Sequence, residues 1–263
     1  MNTQAAGIFK EAAVTQSRVI GALILREMRV RYGHSRVGYI WAIVEPMVWI
    51  MAISVMFSVT GAHPLHGDNM GLFVALGITP FFLFRNLGTQ LGAAFDANQA
   101  LLNFPIVKEI DTVIARAILE FATSLVIMFL LVSGNILFMG AALPNNLLEM
   151  LIAFLAIGLF GFGIGLGNAV LSTRLNSWKN IYVLIQTPLF WISGVFFSLE
   201  SLPVNIRKIL IWNPIIHGAE AMRDGYFTNY RNSHIDLQYL LLCGLLVVII
   251  SLAAERAIRI RRS

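Results

Sequence analysis

Charge is scarce in this chain. Asp, Glu, Lys and Arg make up 13% of its 263 residues, against about 25% in an ordinary soluble domain. Hydrophobic residues reach 57%, and together the two figures place the chain in the membrane class. The single cysteine, Cys243, excludes an intramolecular disulfide and a cysteine metal cluster. No GxxxxGK(S/T) phosphate loop occurs, so the chain has no evident energy source of its own. HExxH, paired-cysteine motifs and a nucleophile elbow are missing too, which removes the common catalytic constellations. The histidines, His34, His63, His66, His217 and His234, are scattered. His63 and His66 share a loop, but two ligands without a third make a weak metal site. Nothing resembles a cleaved leader: about 37 residues, rich in Arg, precede the first long apolar stretch. The first span is therefore expected to act as its own insertion signal.

The charge that is present sits beside apolar runs. The net balance is +5, yet the basic residues flank those runs and form no patch between aromatics, which argues against nucleic-acid binding. A span needs about 20 apolar residues; the candidates are 38–59, 70–95, 112–138, 147–171, 181–199 and 237–254. Loops between the first and second, and the third and fourth, carry no Lys or Arg. Lys108, Arg174, Lys179, Arg256, Arg259, Arg261 and Arg262 mark the other side. The positive-inside rule then puts both termini in the cytoplasm. The connection 200–236, with Arg207, Lys208, Arg223 and Arg231, departs from that bias. Within it, 203–212 and 215–223 read as two short helices around the turn signal Asn213-Pro214, a re-entrant hairpin or a loop resting on the outer surface. The expected fold is all-α. Residues 1–37 form a cytoplasmic N-terminal segment, and 38–263 form a six-span transmembrane domain with the hairpin, 203–223, before the last span.

Residues 17–36 read as an interface helix. Arg18, Arg26, Arg29 and Arg36 fall on one side, with Ile20, Leu23, Ile24, Met28 and Val30 on the other, a pattern suited to a headgroup layer. Plain flanking charge that sets orientation is the other reading. Glu27 and Arg31, at i,i+4 on the apolar side, are spaced to pair. Four charges fall within the spans: Glu45, beside the helix-breaker Pro46, and Arg85, Arg116 and Glu120. Such charges are costly in lipid and are functional candidates by default. Their depths are similar, which predicts a neutralised network or a polar path. The run GFGIGLG at 161–167 lacks dinucleotide-fingerprint spacing and a preceding strand; Gly161/Gly165 and Gly163/Gly167 fit close helix packing. Rings gather at Tyr39, Trp41 and Trp49, at Phe81, Phe82 and Phe84, and at Phe190, Trp191, Phe196 and Phe197. They can serve as core, as an interfacial belt, or as stacking surfaces for sugars.

Four stretches carry a resemblance when taken together: REMRVRYGHSRVGYIWAIVEP (26–46), GITPFFLF (77–84), DANQALLNFPIVKEIDTVIARAILE (96–120) and WNPIIHGAEAMRDG (212–225). They resemble the inner-membrane permease family that exports capsular polysaccharide, a branch of the type 2 ABC exporters. The likeness runs from about Arg26 to the C-terminus.

The resemblance implies a homodimer in the inner membrane of a Gram-negative bacterium, exporting polysaccharide on a lipid anchor. Two ATP-binding cassette subunits would carry the ATP and Mg, this chain binding no cofactor, and periplasmic export machinery would receive the polymer. It also implies an interface helix at 16–35, a coupling helix at 98–109 and a re-entrant pair at 203–223. On the coupling segment the apolar patch LLNFPIV has no lipid to cover it; Asn98, Gln99, Leu102, Phe104, Pro105 and Lys108 are its expected partner contacts. Arg26, Arg29 and Arg36 are expected to hold the anionic headgroup of the substrate, since Arg presents a planar fork to phosphate and no Lys occurs between Glu11 and Val107. Tyr39, Trp41, Phe81, Phe82 and Trp191 are the expected sugar-contacting rings. Export of another lipid-linked polymer, O-antigen or teichoic acid, is the rival within the class. A membrane lipid-modifying enzyme is the rival outside it, and it lacks a catalytic constellation.

Overall fold

Apolar segments with few charges fold as helices because lipid offers the backbone no hydrogen-bond partner, so each N–H and C=O must be satisfied within the segment. The computed structural model describes residues 2–32, 37–60, 70–102, 104, 106–228, 230 and 234–260, with the side chains of 2–13, 31–32, 37–39, 42–43, 58 and 60 set aside. The described residues form helices and connecting turns, with no strand. In order these are α1 (Asn2–Tyr32), α2 (Val37–Thr60), α3 (Met70–Gly92), α4 (Ala94–Ala97), α5 (Glu109–Met139), α6 (Leu147–Ser172) and α7 (Trp178–Trp191). A 3-10 turn (Leu199–Ser201), α8 (Val204–Leu210), α9 (Pro214–Tyr226) and α10 (Leu237–Ile260) complete the chain.

Among the described residues α3, α5, α6 and α10 are long and apolar enough to cross a membrane, and Val44–Phe57 within α2 is a shorter apolar stretch. Two expected spans take a different form. The 70–95 run stops at Gly92 and restarts as α4. The 181–199 run ends at Trp191, leaving α7 with 14 residues, about 21 Å against a hydrocarbon core of ~30 Å. Two local features shorten it. Pro188 has no N–H to give the carbonyl one turn back, and Gly194 has a positive φ of 72°, which ends helical propagation. The 203–223 segment forms α8 and α9, with Asn213 as N-cap accepting from Ile215 N–H at 3.1 Å and Pro214 at the first helical position, where its missing N–H does no harm.

Helix α6 lies between α3, α9 and α10. Its glycines divide between two neighbours. A methyl group on Gly165 would stand 2.6 Å from Leu87 O of α3, and one on Gly161 3.2 Å from Phe84 Cα. One on Gly163 would stand 2.9 Å from Val248 N of α10, and one on Gly167 2.9 Å from Ser251 Oγ. Ser251 Oγ also donates to Gly163 O at 2.9 Å. Small residues thus let two backbones approach α6, the contact on which helix association in lipid depends.

Helix α1 packs along α5, and its inward side falls within the expected apolar one: Leu23 is buried and Ile20 and Ile24 are half-buried. Met28 and Val30, at the edges of that side, are exposed. The inward polar positions are met by α5: Gln16 donates to Asp111, and Glu27 pairs with Arg116 at 2.7 Å. These partners on α5, absent from any single-helix projection, let polar residues sit on the apolar side of α1.

Replacing Gly165 by Val should cost about 1–3 kcal/mol through overpacking, read as a lower thermal midpoint and a smaller monodisperse fraction in detergent. Gly134→Ala, where nothing lies within 4 Å of the added methyl, should be neutral or gain up to about 1 kcal/mol.

Candidate functional site

Glu45 and Arg85 meet across α2 and α3. Arg85 Nη2 lies 2.7 Å from Glu45 Oε1, with side-chain exposures of 23% and 35%. The guanidinium also sits 3.9 Å over the Phe82 ring, and Nε donates to Asn86 Oδ1 at 3.4 Å. Gln186 of α7 donates to Thr89 Oγ1 at 2.9 Å and to Arg85 O at 3.3 Å. An ion pair, a cation–π contact and an amide bridge therefore join three helices at one level.

Arg116 belongs to a second cluster. Its Nη2 pairs with Glu27 at 2.7 Å, and its Nη1 donates to Gln90 O, near the end of α3, at 2.8 Å. Glu27 had the spacing to pair with Arg31, whose side chain lies outside the described residues. Glu120, one turn beyond Arg116, is buried. Two ion pairs seen among the described residues at these charges are Glu45–Arg85 and Glu27–Arg116.

The described residues between α4 and α5 form turns, where a coupling helix was expected at 98–109. Leu101 and Leu102 N–H both bond to Asn98 O, Phe104 N–H to Leu101 O and Val107 N–H to Phe104 O. Asn98 is one cause, since its side-chain amide donates to Ala94 O at 2.8 Å and so competes with the backbone for that carbonyl. Phe104 and Ile106 are 60% and 63% exposed, Gln99 and Lys108 are exposed, and Leu102 is half-buried. Asn98, expected on the partner surface, is buried and accepts from Arg26 of α1. Pro105 lies outside the described residues. Asp111 closes the segment by accepting from Lys108 N–H at 2.9 Å. Beside it, Phe95, Asp96, Gln99 and Leu102 face Ser172, Thr173, Asn176 and Lys179 across a cleft, which the Lys179–Asp96 ion pair bridges.

The expected substrate contacts are dispersed. Arg26 faces Asn98 and Arg29 is exposed; Arg36 and the Tyr39 side chain lie outside the described residues. Trp41 is exposed. Phe81 and Phe82, expected among the sugar-contacting rings, are core residues, 1% and 6% exposed. They belong to a ring cluster in which Phe190 lies 4.9 Å from Phe81, 5.0 Å from Phe196 and 5.2 Å from Trp49. Trp191, 4.8 Å from Phe196, is the half-exposed edge of that cluster.

Sequence reasoning missed a third charged cluster. Arg223 and Glu220 of α9 are fully buried and paired at 3.2 Å. Arg223 donates to Val195 O at 2.9 Å, Phe197 O at 3.1 Å and Phe73 O at 3.3 Å, and its guanidinium lies 3.7 Å over the Phe73 ring. Glu220 accepts from Tyr230 Oη at 2.7 Å and Ser198 Oγ at 3.2 Å. Burial pushes the Tyr230 phenol up, so it stays a neutral donor. The cluster ties the 195–198 segment to α3 and α9. Arg223 had counted only as an exception to the charge bias. The available signal was its i,i+3 spacing from Glu220 among the small residues Gly218, Ala219 and Ala221.

Residues 18–227 match the ABC-2 type transporter family. The chain is 31% identical to the Polysialic acid transport protein KpsM of Escherichia coli, over 92% of this chain and 93% of that one. It is 29% identical to the Capsule polysaccharide export inner-membrane protein CtrC of Neisseria meningitidis, over 93% and 92%. Similarity extends, at 20% identity over 90% of each chain, to the O-antigen export system permease protein RfbA of Klebsiella pneumoniae.

The two ion pairs should behave as separate units. Double-mutant cycles of unfolding stability should give coupling of about 1–3 kcal/mol for Glu45/Arg85 and for Glu27/Arg116, while Arg85/Arg116 changes add within about 0.5 kcal/mol. Strong coupling in the crossed cycle would restore the single network.

Proposed function

The chain belongs to the ABC-2 type transporter family, and on that premise we propose that it is the permease subunit of an ATP-driven exporter moving lipid-linked capsular polysaccharide across a bacterial inner membrane. The observation that carries this reading is similarity over more than nine-tenths of the chain to capsule and polysialic acid transport proteins. Two copies form the pathway, and two ATP-binding cassette subunits bind ATP and Mg and drive it. Periplasmic machinery takes the polymer onward. Both termini lie in the cytoplasm, and α2 with the α7 region supplies the two spans beyond the four long apolar helices. The more distant similarity to an O-antigen permease keeps export of another lipid-linked polymer as the second reading. Deleting the gene from its host should leave polymer inside the cell and restore surface polymer on complementation; unchanged surface polymer in the deletion strain would refute the assignment.

The exposed part of the 98–109 segment, with Phe104 at its apolar centre, is the surface that engages the ATP-binding subunit. Exposed apolar surface of this kind needs a protein cover where lipid is absent. Arg26, Arg29 and Arg36 hold the anionic headgroup of the substrate at the start of its path, before Tyr39 and Trp41. Phe104→Asp should insert normally and abolish export; normal export would remove the docking site. An Arg26→Lys, Arg29→Lys, Arg36→Lys triple variant keeps the charge and loses the fork. It should insert normally and lose most export, whereas a purely topological role predicts parental export.

A further inference from the structure

Helix α3 is enclosed by protein along almost its whole length. From Leu72 to Gly92 every position is buried except Arg85, Asn86, Thr89 and Gln90. These lie at i, i+1, i+4 and i+5, which places them on one face, and all four are polar. An opening onto lipid would be apolar, because amide, hydroxyl and guanidinium groups are costly in hydrocarbon. The outward positions of α10, Leu245, Leu246, Ile249 and Ile250, show what a lipid-compatible face looks like in this chain.

The chemistry of the opening is specific. Glu45 neutralises Arg85 at 2.7 Å, so the face carries little surplus charge for phosphate. Gln186, from α7, holds Thr89 and the Arg85 carbonyl and fixes the rim. What remains toward the outside is two carboxamides, which both donate and accept hydrogen bonds, and the Thr89 hydroxyl, whose proton goes to Arg85 O at 2.9 Å and which can still accept. A ligand of the same dual character, a chain of hydroxyl groups, matches them; a lipid tail or a phosphate does not.

We propose that Asn86, Thr89 and Gln90, framed by the Glu45–Arg85 pair and Gln186, form a neutral contact strip that hydrogen-bonds the hydroxyl groups of a saccharide polymer in transit. The site is distinct from the expected ring contacts and from the arginines of α1, and it rests on the export reading above.

The test uses single-cysteine variants of the full chain in its host, with Cys243→Ser as background and polymer synthesis switched on or off. Thr89→Cys and Gln90→Cys should react with a charged methanethiosulfonate reagent, and Ile249→Cys should not. Active polymer synthesis should slow the reaction at 89 and 90, and the bulky adduct at 89 should abolish export. Thiols at both positions as unreactive as that at 249 would overturn the proposal, as would reaction without protection by polymer. A disulfide linking two copies through Thr89→Cys would also overturn it, because a second copy would then cover the face. If the Cys243→Ser parent exports no saccharide while 89 and 90 stay reactive, the export reading fails and the water-facing strip stands without its assigned ligand.

Discussion

Close approach of α6 to α3 on one side and to α10 on the other is the contact from which the remaining structure hangs. In lipid there is little hydrophobic gain in bringing helices together, so association depends on packing and on hydrogen bonds made possible by small residues. Gly161 and Gly165 admit α3, and Gly163 and Gly167 admit α10. Once α3 is held there, α2, α5, α7 and α9 pack around it. Helix α3 then supplies a partner to each charged cluster: Arg85 to Glu45, Gln90 O to Arg116 and Phe73 O to Arg223.

This arrangement distributes polar contacts along the molecule. Toward the α3–α5 connection, α1 is fastened by Gln16 to Asp111, Arg26 to Asn98 and Glu27 to Arg116. Movement of the exposed 98–109 surface must strain these contacts or carry α1 with it, and through Arg116 it reaches the end of α3. In the 195–230 region Arg223 and Glu220 lock α9, α3 and the 195–198 segment. A buried charge pair with all its neighbours satisfied stabilises little on balance, but losing one member strands the other. Such clusters constrain which rearrangements the bundle can make.

Much of the fold was legible as apolar runs bounded by turn signals. The run at 147–171 became α6 within a residue, and Asn213-Pro214 marked the start of α9 because one residue caps and the other needs no donor. The failures share a cause. The 181–199 run reads as one span because hydropathy averages across Pro188 and Gly194, whereas the backbone responds to each individually. Glu27 read as an intruder on the apolar side of α1 because a helical projection cannot know that Arg116 waits on α5. Phe81 and Phe82 looked like contact rings and are core, since composition does not say which side of α3 is enclosed.

The sequence by itself determined the membrane class, the helical architecture, the positions of the long apolar helices and the glycine run that packs them. These follow from local composition and from the backbone's need for internal hydrogen bonds. Its likeness to capsule permeases was legible in four stretches as well. Only the tertiary structure decided that Arg116 meets Glu27, that Arg223 and Glu220 are fully buried, and that between Leu72 and Gly92 α3 opens at Arg85, Asn86, Thr89 and Gln90. Each depends on which side chain of a distant helix stands opposite, and pairing across helices is set by packing, not by spacing along the chain.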